Sequence, residues 1–531
     1  MTHSLIGKGV LVGLLCSAGV LTANARHFDP PTMGWSSWNT FALNINEDLI
    51  KSQADAMVQT GLAKAGYKYV NIDDGYWDGR GEDGHLRLNT NLFPSGMRAL
   101  TDYIHDLGLK AGIYSDAGDN TCGSDGGKHA WGRGVGFAGY EEQDCRLYFD
   151  DWNFDFIKVD YCGGMHLKLD EQEQYTKIAN AIKSCERKDI AFNICRWAYP
   201  GTWVSEVADS WRTTGDIWCG WQSVRDIIKE NLYIQAYTGD GHYNDADMLE
   251  IGRTLSEDEE NTHMAYWCIA SSPLLIGCDL TNIPQSSLEL LKNRDLLAMN
   301  QDKLGLGAPV VHREGEVYVV AKDMNERMGK QRAVVVMNLS DEDQTVNVSV
   351  EALGFEGKVK VYDCLTHTQR PSAEETMEVS IPAHGSQAFF VTGKRCEKRV
   401  YQAEEAWLKA YQELGRPNTA SWFAAKTADQ GEYVGFLGNS ADNYLEWRDV
   451  YSKKGGRYTM AIRYASEDER FITLNVNGQD VKRLSNLKSG HYTEAWAVVE
   501  VEIELEKGFN TIRLWNKKAW MPNIDCMTLQ R

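Results

Sequence analysis

Apolar and polar positions alternate in two regimes along this chain. From Met33 to about residue 280, short apolar runs are separated by stretches in which apolar residues recur every three or four positions. The first pattern reads as buried strands and the second as amphipathic helices. It assigns strands to residues 33–35, 69–73, 109–115, 154–160, 190–195, 210–214, 243–248 and 273–276, with helices such as 47–65, 171–185 and 223–235 between them. Eight β/α units predict a closed parallel barrel. An open, doubly wound sheet fits the alternation too, but nearly every predicted strand ends in a polar or aromatic cluster. Only a barrel brings all those ends to one face.

Beyond about Gly305 the period changes to two. Runs at 310–322, 331–339, 345–350, 357–364 and 377–392, separated by turns, predict an antiparallel sandwich. Glu397-Lys398-Arg399 is a charged linker, and a second all-β unit follows, with runs at 401–404, 444–450, 456–464, 472–477 and 509–514 before Pro522-Asn523-Ile524-Asp525. The fold class is therefore α/β: a (β/α)8 barrel over 26–308, a β-sandwich over 309–395 and a second β-sandwich over 396–531.

Residues 1–25 read as an export signal. Lys8 supplies the positive start, residues 9–21 the apolar core and Ala23-Asn24-Ala25 the cleavage site, so the mature chain is expected to begin near Arg26 in a periplasmic, cell-surface or secreted location. Leu15 is too bulky for the small residue that precedes a lipid-modified cysteine, so Cys16 is not read as a lipid anchor. Twelve cysteines less Cys16 leave eleven, an odd number, so at least one thiol stays unpaired. Their scattered spacing gives no zinc signature.

At 531 residues and 43% hydrophobic content the chain exceeds what one core organises. A net charge of −20 argues against nucleic acid or an anionic membrane as partner, and after residue 25 no segment is predicted to span a bilayer. Seventeen Trp and 24 Tyr offer flat faces for sugar rings, though packing in β-rich cores explains such usage equally well.

Two acids stand at the ends of apolar runs: Asp160 after Phe154-Asp155-Phe156-Ile157-Lys158-Val159, and Asp216 after Ser210-Trp211-Arg212-Thr213-Thr214-Gly215. A pair of carboxylates at a barrel mouth suits glycoside cleavage, one attacking the anomeric carbon while the other protonates the departing oxygen. Taken singly, either Asp reads as a helix or turn cap.

The ordered segments Pro31-Thr32-Met33-Gly34-Trp35-Ser36-Ser37-Trp38-Asn39, Asn71-Ile72-Asp73-Asp74-Gly75, Gly112-Ile113-Tyr114-Ser115-Asp116, Lys158-Val159-Asp160-Tyr161-Cys162, Trp211-Arg212-Thr213-Thr214-Gly215-Asp216 and Asn244-Asp245-Ala246-Asp247-Met248 resemble the motifs of glycoside hydrolase family 27, the α-galactosidases and α-N-acetylgalactosaminidases. The resemblance implies a (β/α)8 barrel followed by an antiparallel β-sandwich. It implies Asp160 as nucleophile, Asp216 as acid/base, and Asp73 and Asp74 as the acids gripping the 4- and 6-hydroxyls of galactose. Trp38, Tyr114, Lys158, Cys195, Trp197, Arg212 and Asp247 complete the implied substrate pocket, and Cys122 and Cys162 match a family disulfide. Lys158, two positions before Asp160, projects to the same side of a strand, where its ammonium holds the ionised carboxylate. Asp216 has to carry a proton before surrendering it, so its surroundings are expected to raise its pKa relative to Asp160.

The chain departs from the pattern at two places. Arg196 stands where α-galactosidases commonly carry Glu, either narrowing the pocket beside the sugar's 2-position or folding outward to a salt bridge, and Gly75 replaces a frequent Cys. The last unit resembles carbohydrate-binding modules of families 6 and 35, in which a structural calcium is held between the first strand and a terminal Asp. Glu404 and Asp525 are the matching ligand candidates, with Gln402 where an acid is more usual. The implied function is an exported, retaining exo-α-galactosidase acting on α-galactosides without a catalytic cofactor. β-L-Arabinopyranosidase or α-N-acetylgalactosaminidase activity on the same scaffold and a non-catalytic glycan-binding protein are the alternatives.

Overall fold

The computed structural model describes residues 30–411 and 418–531, so the export signal and Cys16 lie outside the described residues. Eight parallel strands form the first sheet: β1 (Met33–Ser36), β2 (Tyr69–Asn71), β3 (Lys110–Asp116), β4 (Phe156–Asp160), β5 (Ala191–Ile194), β6 (Ser210–Arg212), β7 (Tyr243–Asp245) and β8 (Leu274–Ile276). They run in the order β8-β1-β2-β3-β4-β5-β6-β7. Leu249, just past β7, makes a parallel bridge to Ile276 of β8 and closes the ring. These strands are buried almost throughout, as expected of strands lined by side-chain layers inside and helices outside.

Local chemistry sets the helix ends. In Glu47–Gln59 the Asn46 side chain accepts from Leu49 N–H, and Glu47 and Asp48 sit in the first turn, where acids favour the helix dipole. The expected helix over 47–65 is two, because Gly61 at φ +83 interrupts it before Leu62–Ala65. Helix Glu257–Ile269 starts with a reciprocal Ser256/Glu259 capping box. Its nearly complete burial follows from lying between the barrel and the sandwich strands Gln331–Asn338 and Ser386–Arg395.

The sandwich pairs a six-stranded antiparallel sheet with the two strands Gln344–Ser349 and Thr376–Ile381. Strict alternation in Thr376–Ile381, with every second residue buried, marks a sheet wet on one face. The predicted run 310–322 is a hairpin turning at Gly315, and 377–392 divides at Pro382–Gly385 between the two sheets. The last unit is again two antiparallel sheets, built around Gly438–Ser452, Gly456–Ala465, Gly508–Trp520 and Asn523–Gln530.

This last unit packs on the barrel beside the loop that follows β5. Tyr199 and Tyr237 of the barrel have ring centroids 5.6 and 5.8 Å from Tyr411, and the Tyr237 hydroxyl donates to Leu408 C=O at 2.9 Å while accepting from Leu408 N–H at 3.1 Å. Thr202 Oγ1 donates to Lys409 C=O at 3.1 Å. Among the described residues no helix is long and apolar enough to cross a membrane.

Candidate active site

The C-terminal ends of the barrel strands bring the expected residues to one mouth. Asp160 ends β4, buried, with Oδ2 accepting from the Tyr114 hydroxyl of β3 at 3.0 Å. Lys158, two residues earlier on the same strand, places its ammonium 3.7 Å from Asp160 Oδ1 and 3.3 Å from Asp73 Oδ2, just past β2. Burial pushes the Asp160 carboxyl above its ordinary range and the Lys158 charge pulls it back. One cation is thus shared by two buried carboxylates.

The second acid sits on a different cation. Arg212, the last residue of β6 and buried, reaches Asp216 Oδ1 at 3.1 Å and Asp247 Oδ2 at 2.7 Å through Nη2, which also lies 3.2 and 2.9 Å from Thr214 and Gly215 C=O, while Nε has no hydrogen-bond partner among the described residues. Asp247 is fixed from all sides: Met248 N–H donates to Oδ1 at 2.8 Å, Ile217 N–H to Oδ2 at 2.8 Å, and Trp267 Nε1–H to its carbonyl at 2.7 Å. These bonds hold a backbone at φ +79, costly for a non-glycine residue, and Trp197 across the mouth is at φ +61. Burial carries the Asp247 carboxyl up to about 6 despite Arg212.

The two acids differ in exposure: Asp160 is buried, whereas the Asp216 side chain is 63% exposed.

Cys195 is buried, its thiol 3.7 Å from Arg212 Nη1, and burial lifts that thiol well above its ordinary pKa. Trp38, on the short helix after β1, and Trp197 pack partly buried against the core. Asp74 lies deeper than Asp73, with Oδ1 accepting from Gly75 N–H at 2.8 Å and Oδ2 from Gly123 N–H at 2.9 Å, and burial carries its carboxyl up to about 7. Gly75 is at φ +112, with Leu43 backbone 3.1 Å from where a Cβ would stand, so the residue that replaces the frequent Cys suits its own turn.

Cys122 and Cys162 form the disulfide that ties the loop after β3 to the residue two past Asp160, and nine cysteines among the described residues are free. Asp116 works beside it: Oδ1 accepts from Gly118 N–H at 2.7 Å and Gly163 N–H at 3.0 Å, joining the same two loops. The only group of three metal-ligand side chains among the described residues is Asp116 with these two disulfide sulfurs, which have no thiolate to offer.

Arg196 turns outward. Its Nε lies 2.8 Å from Glu171 Oε2 at the start of helix Glu171–Ser184, so of the two readings the salt bridge holds. Replacing Arg196 by Ser should leave the ratio of kcat/KM on galactoside and N-acetylgalactosaminide unchanged within about twofold. It should lower stability by about 1–3 kcal/mol, because Glu171 loses its partner in a largely buried site. A shifted ratio, measured alongside thermal unfolding, would put Arg196 back in the pocket.

The two calcium candidates differ in their surroundings. Glu404 is buried with Oε2 unpartnered, and Gln402 Oε1 is unpartnered too, both hard oxygens of the type calcium takes. Asp525, however, is the partner of Arg463 and accepts from Asp429 N–H at 3.0 Å, and no third carboxylate converges with Glu404 and Asp525 among the described residues. A guanidinium thus stands where the expected ligand set needs the ion.

Sequence reading passed over Asp116 as a positioning group, and also Asn193, whose Nδ2 donates to Ser210 Oγ at 2.8 Å and Asp245 Oδ2 at 2.9 Å beneath the pocket. Asp116 had a signal, an acid ending an apolar run. Asn193 had none, since a lone Asn within a strand pattern names no partner.

Comparison with known proteins gives matches over both the barrel and the first sandwich. The family model described as alpha galactosidase A matches residues 30–302, and the one described as alpha galactosidase C-terminal beta sandwich domain matches residues 314–391. Alpha-galactosidase 2 of Arabidopsis thaliana is 37% identical over 371 residues, 69% of this chain and 90% of its own length. Alpha-galactosidase A of Cellvibrio japonicus is 34% identical over 409 residues, 72% of this chain and 96% of its own. Among solved structures, alpha-galactosidase I of Mortierella vinacea superposes with a TM-score of 0.63 at 27% identity, over 69% of this chain and 98% of that one. A family 27 β-L-arabinopyranosidase from Geobacillus stearothermophilus superposes at 0.61 and 26% identity, over 68% of this chain and 96% of that one.

Proposed function

The chain belongs to glycoside hydrolase family 27, the α-galactosidases, and from that premise we propose that it is an exported, retaining exo-α-galactosidase that releases terminal α-galactose by double displacement. The observation that carries this reading is the pairing of each carboxylate with its own cation: Asp160 with Lys158, and Asp216 with Arg212. An ionised Asp160 attacks the anomeric carbon as the bond to the leaving oxygen breaks, and Asp216 gives that oxygen its proton. A β-galactosyl ester on Asp160 results. Asp216, now anionic beside Arg212, takes a proton from water as the water attacks the same carbon, and α-galactose departs. Every proton and electron pair is accounted for by two carboxyls and water, so the chemistry requires no cofactor.

Export is supported by the pattern of residues 1–25 and by the disulfide near Asp160. An accessory sugar-binding role for the last unit draws on a surface aromatic cluster in which Phe423 lies 5.7 Å from Tyr433 and 5.5 Å from Phe436, and Tyr433 lies 5.8 Å from Trp496. Proton NMR of the first-formed product tests the mechanism. We expect α-galactose ahead of mutarotation, and β-galactose appearing first would remove the double displacement.

A second reading, release of β-L-arabinopyranose, draws on Asp74. Galactose differs from that sugar by a 6-hydroxymethyl, and the acid expected to bind its hydroxyl has both oxygens engaged by backbone donors. Nitrophenyl α-galactoside, β-L-arabinopyranoside and α-N-acetylgalactosaminide compared side by side decide between them, with the galactoside expected to be preferred.

A further inference from the structure

The loop that carries Asp216 also carries an indole that the two-carboxylate chemistry does not use. Trp218 is 57% exposed, and most exposed apolar side chains signify nothing. Three features set this one apart. The exposure pattern Asp216 out, Ile217 buried, Trp218 out puts Asp216 and Trp218 on the same solvent side of an anchored residue. Their α-carbons, two residues apart, lie within about 7 Å of each other.

The loop is also pinned on both sides of the indole. Ile217 N–H donates to Asp247 Oδ2 at 2.8 Å, Trp218 N–H donates to Ser223 Oγ at 3.0 Å, and Cys219 Sγ lies 2.9 Å from Thr254 Oγ1. Finally, the indole lies against Gly220. A Cβ added there would stand 2.3 Å from Cζ3 and 3.0 Å from Cε3 of Trp218, so the missing side chain leaves room for the rim of the six-membered ring. A largely exposed ring on a pinned loop, its rim against backbone, costs little entropy to stack against.

Its position names the occupant. A general acid works only within hydrogen-bond reach of the oxygen it protonates, so the group leaving with that oxygen lies beside Asp216. We propose that Trp218 is the platform of the leaving-group subsite, stacking on the apolar face of the pyranose ring from which galactose is cut. This rests on the reading of Asp216 as acid/base, and it makes the preferred substrate an α-galactoside carried on another sugar ring rather than on a small alcohol.

The test compares kcat and KM of the full chain, Trp218→Ala and Trp218→Tyr on methyl α-galactoside, whose leaving group has no ring, and on an α-1,6-galactosyl glucose disaccharide. Stacking of this kind corresponds to about a 5- to 10-fold change. We expect Trp218→Ala to lose about that much kcat/KM on the disaccharide, mainly through KM, with methyl galactoside unchanged within about twofold and Trp218→Tyr retaining most of the wild-type value. Equal losses on both substrates would show a structural role, and no loss on either would show an idle side chain; each overturns the subsite alone. Wild-type inactivity on both galactosides would overturn the galactosidase reading and the subsite with it.

Discussion

Asp160→Ala is expected to lower kcat/KM on nitrophenyl α-galactoside by on the order of 10⁴-fold or more, the scale on which removal of a covalent nucleophile leaves only binding and electrostatics. The fold should survive. Lys158 keeps Asp73 at 3.3 Å, so its ammonium is not left buried and unpaired, and the Tyr114 hydroxyl loses only one acceptor. Thermal unfolding within a few degrees of wild type, beside the lost turnover, separates the chemical effect from a folding defect. Azide in the vacated space should yield the β-azide and never restore the wild-type anomer. Activity near wild type would remove Asp160 from the mechanism.

Asp216→Ala should show its loss selectively. Protonation matters where the leaving group is a poor one, so a sugar or alkyl aglycone should lose about 10²- to 10⁴-fold while an activated nitrophenolate loses much less. The structure makes this variant clean, because Asp216 is largely exposed and Arg212 retains Asp247 at 2.7 Å. Equal losses on both classes of leaving group, measured as kcat/KM, would count against an acid role.

Residue period and strand-end chemistry made much of the architecture legible from the chain alone. The eight barrel strands and the acids at their ends are local properties: apolar runs of strand length form buried parallel strands whatever their partners, and a polar residue ending such a run lands at the mouth. Asp160 followed from this, with Lys158 two positions before it on the same strand, whereas the place of Arg212 in the pocket came with the family resemblance. Errors of extent also have local causes, such as the helix break at Gly61 and the hairpin turn at Gly315, where a glycine inside an otherwise continuous pattern ends the element.

What tertiary structure alone decided was which groups meet and which stay wet. Arg196 reads the same in sequence whether it faces a sugar or an ion pair, and only the packing of helix Glu171–Ser184 beside the β5 loop gives it Glu171. Asp160 and Asp216 are equivalent as letters. One is buried because its strand lies inside the ring and the other exposed because its loop leaves it. The hydrogen bonds of Tyr237 with Leu408 join residues 171 apart, and the contact of Trp218 with Gly220 depends on the path of a loop. Period and composition carry information about a side chain's own neighbourhood along the chain; the partners of a buried charge or an exposed ring come from elements far away in sequence, and only the closed barrel brings them together.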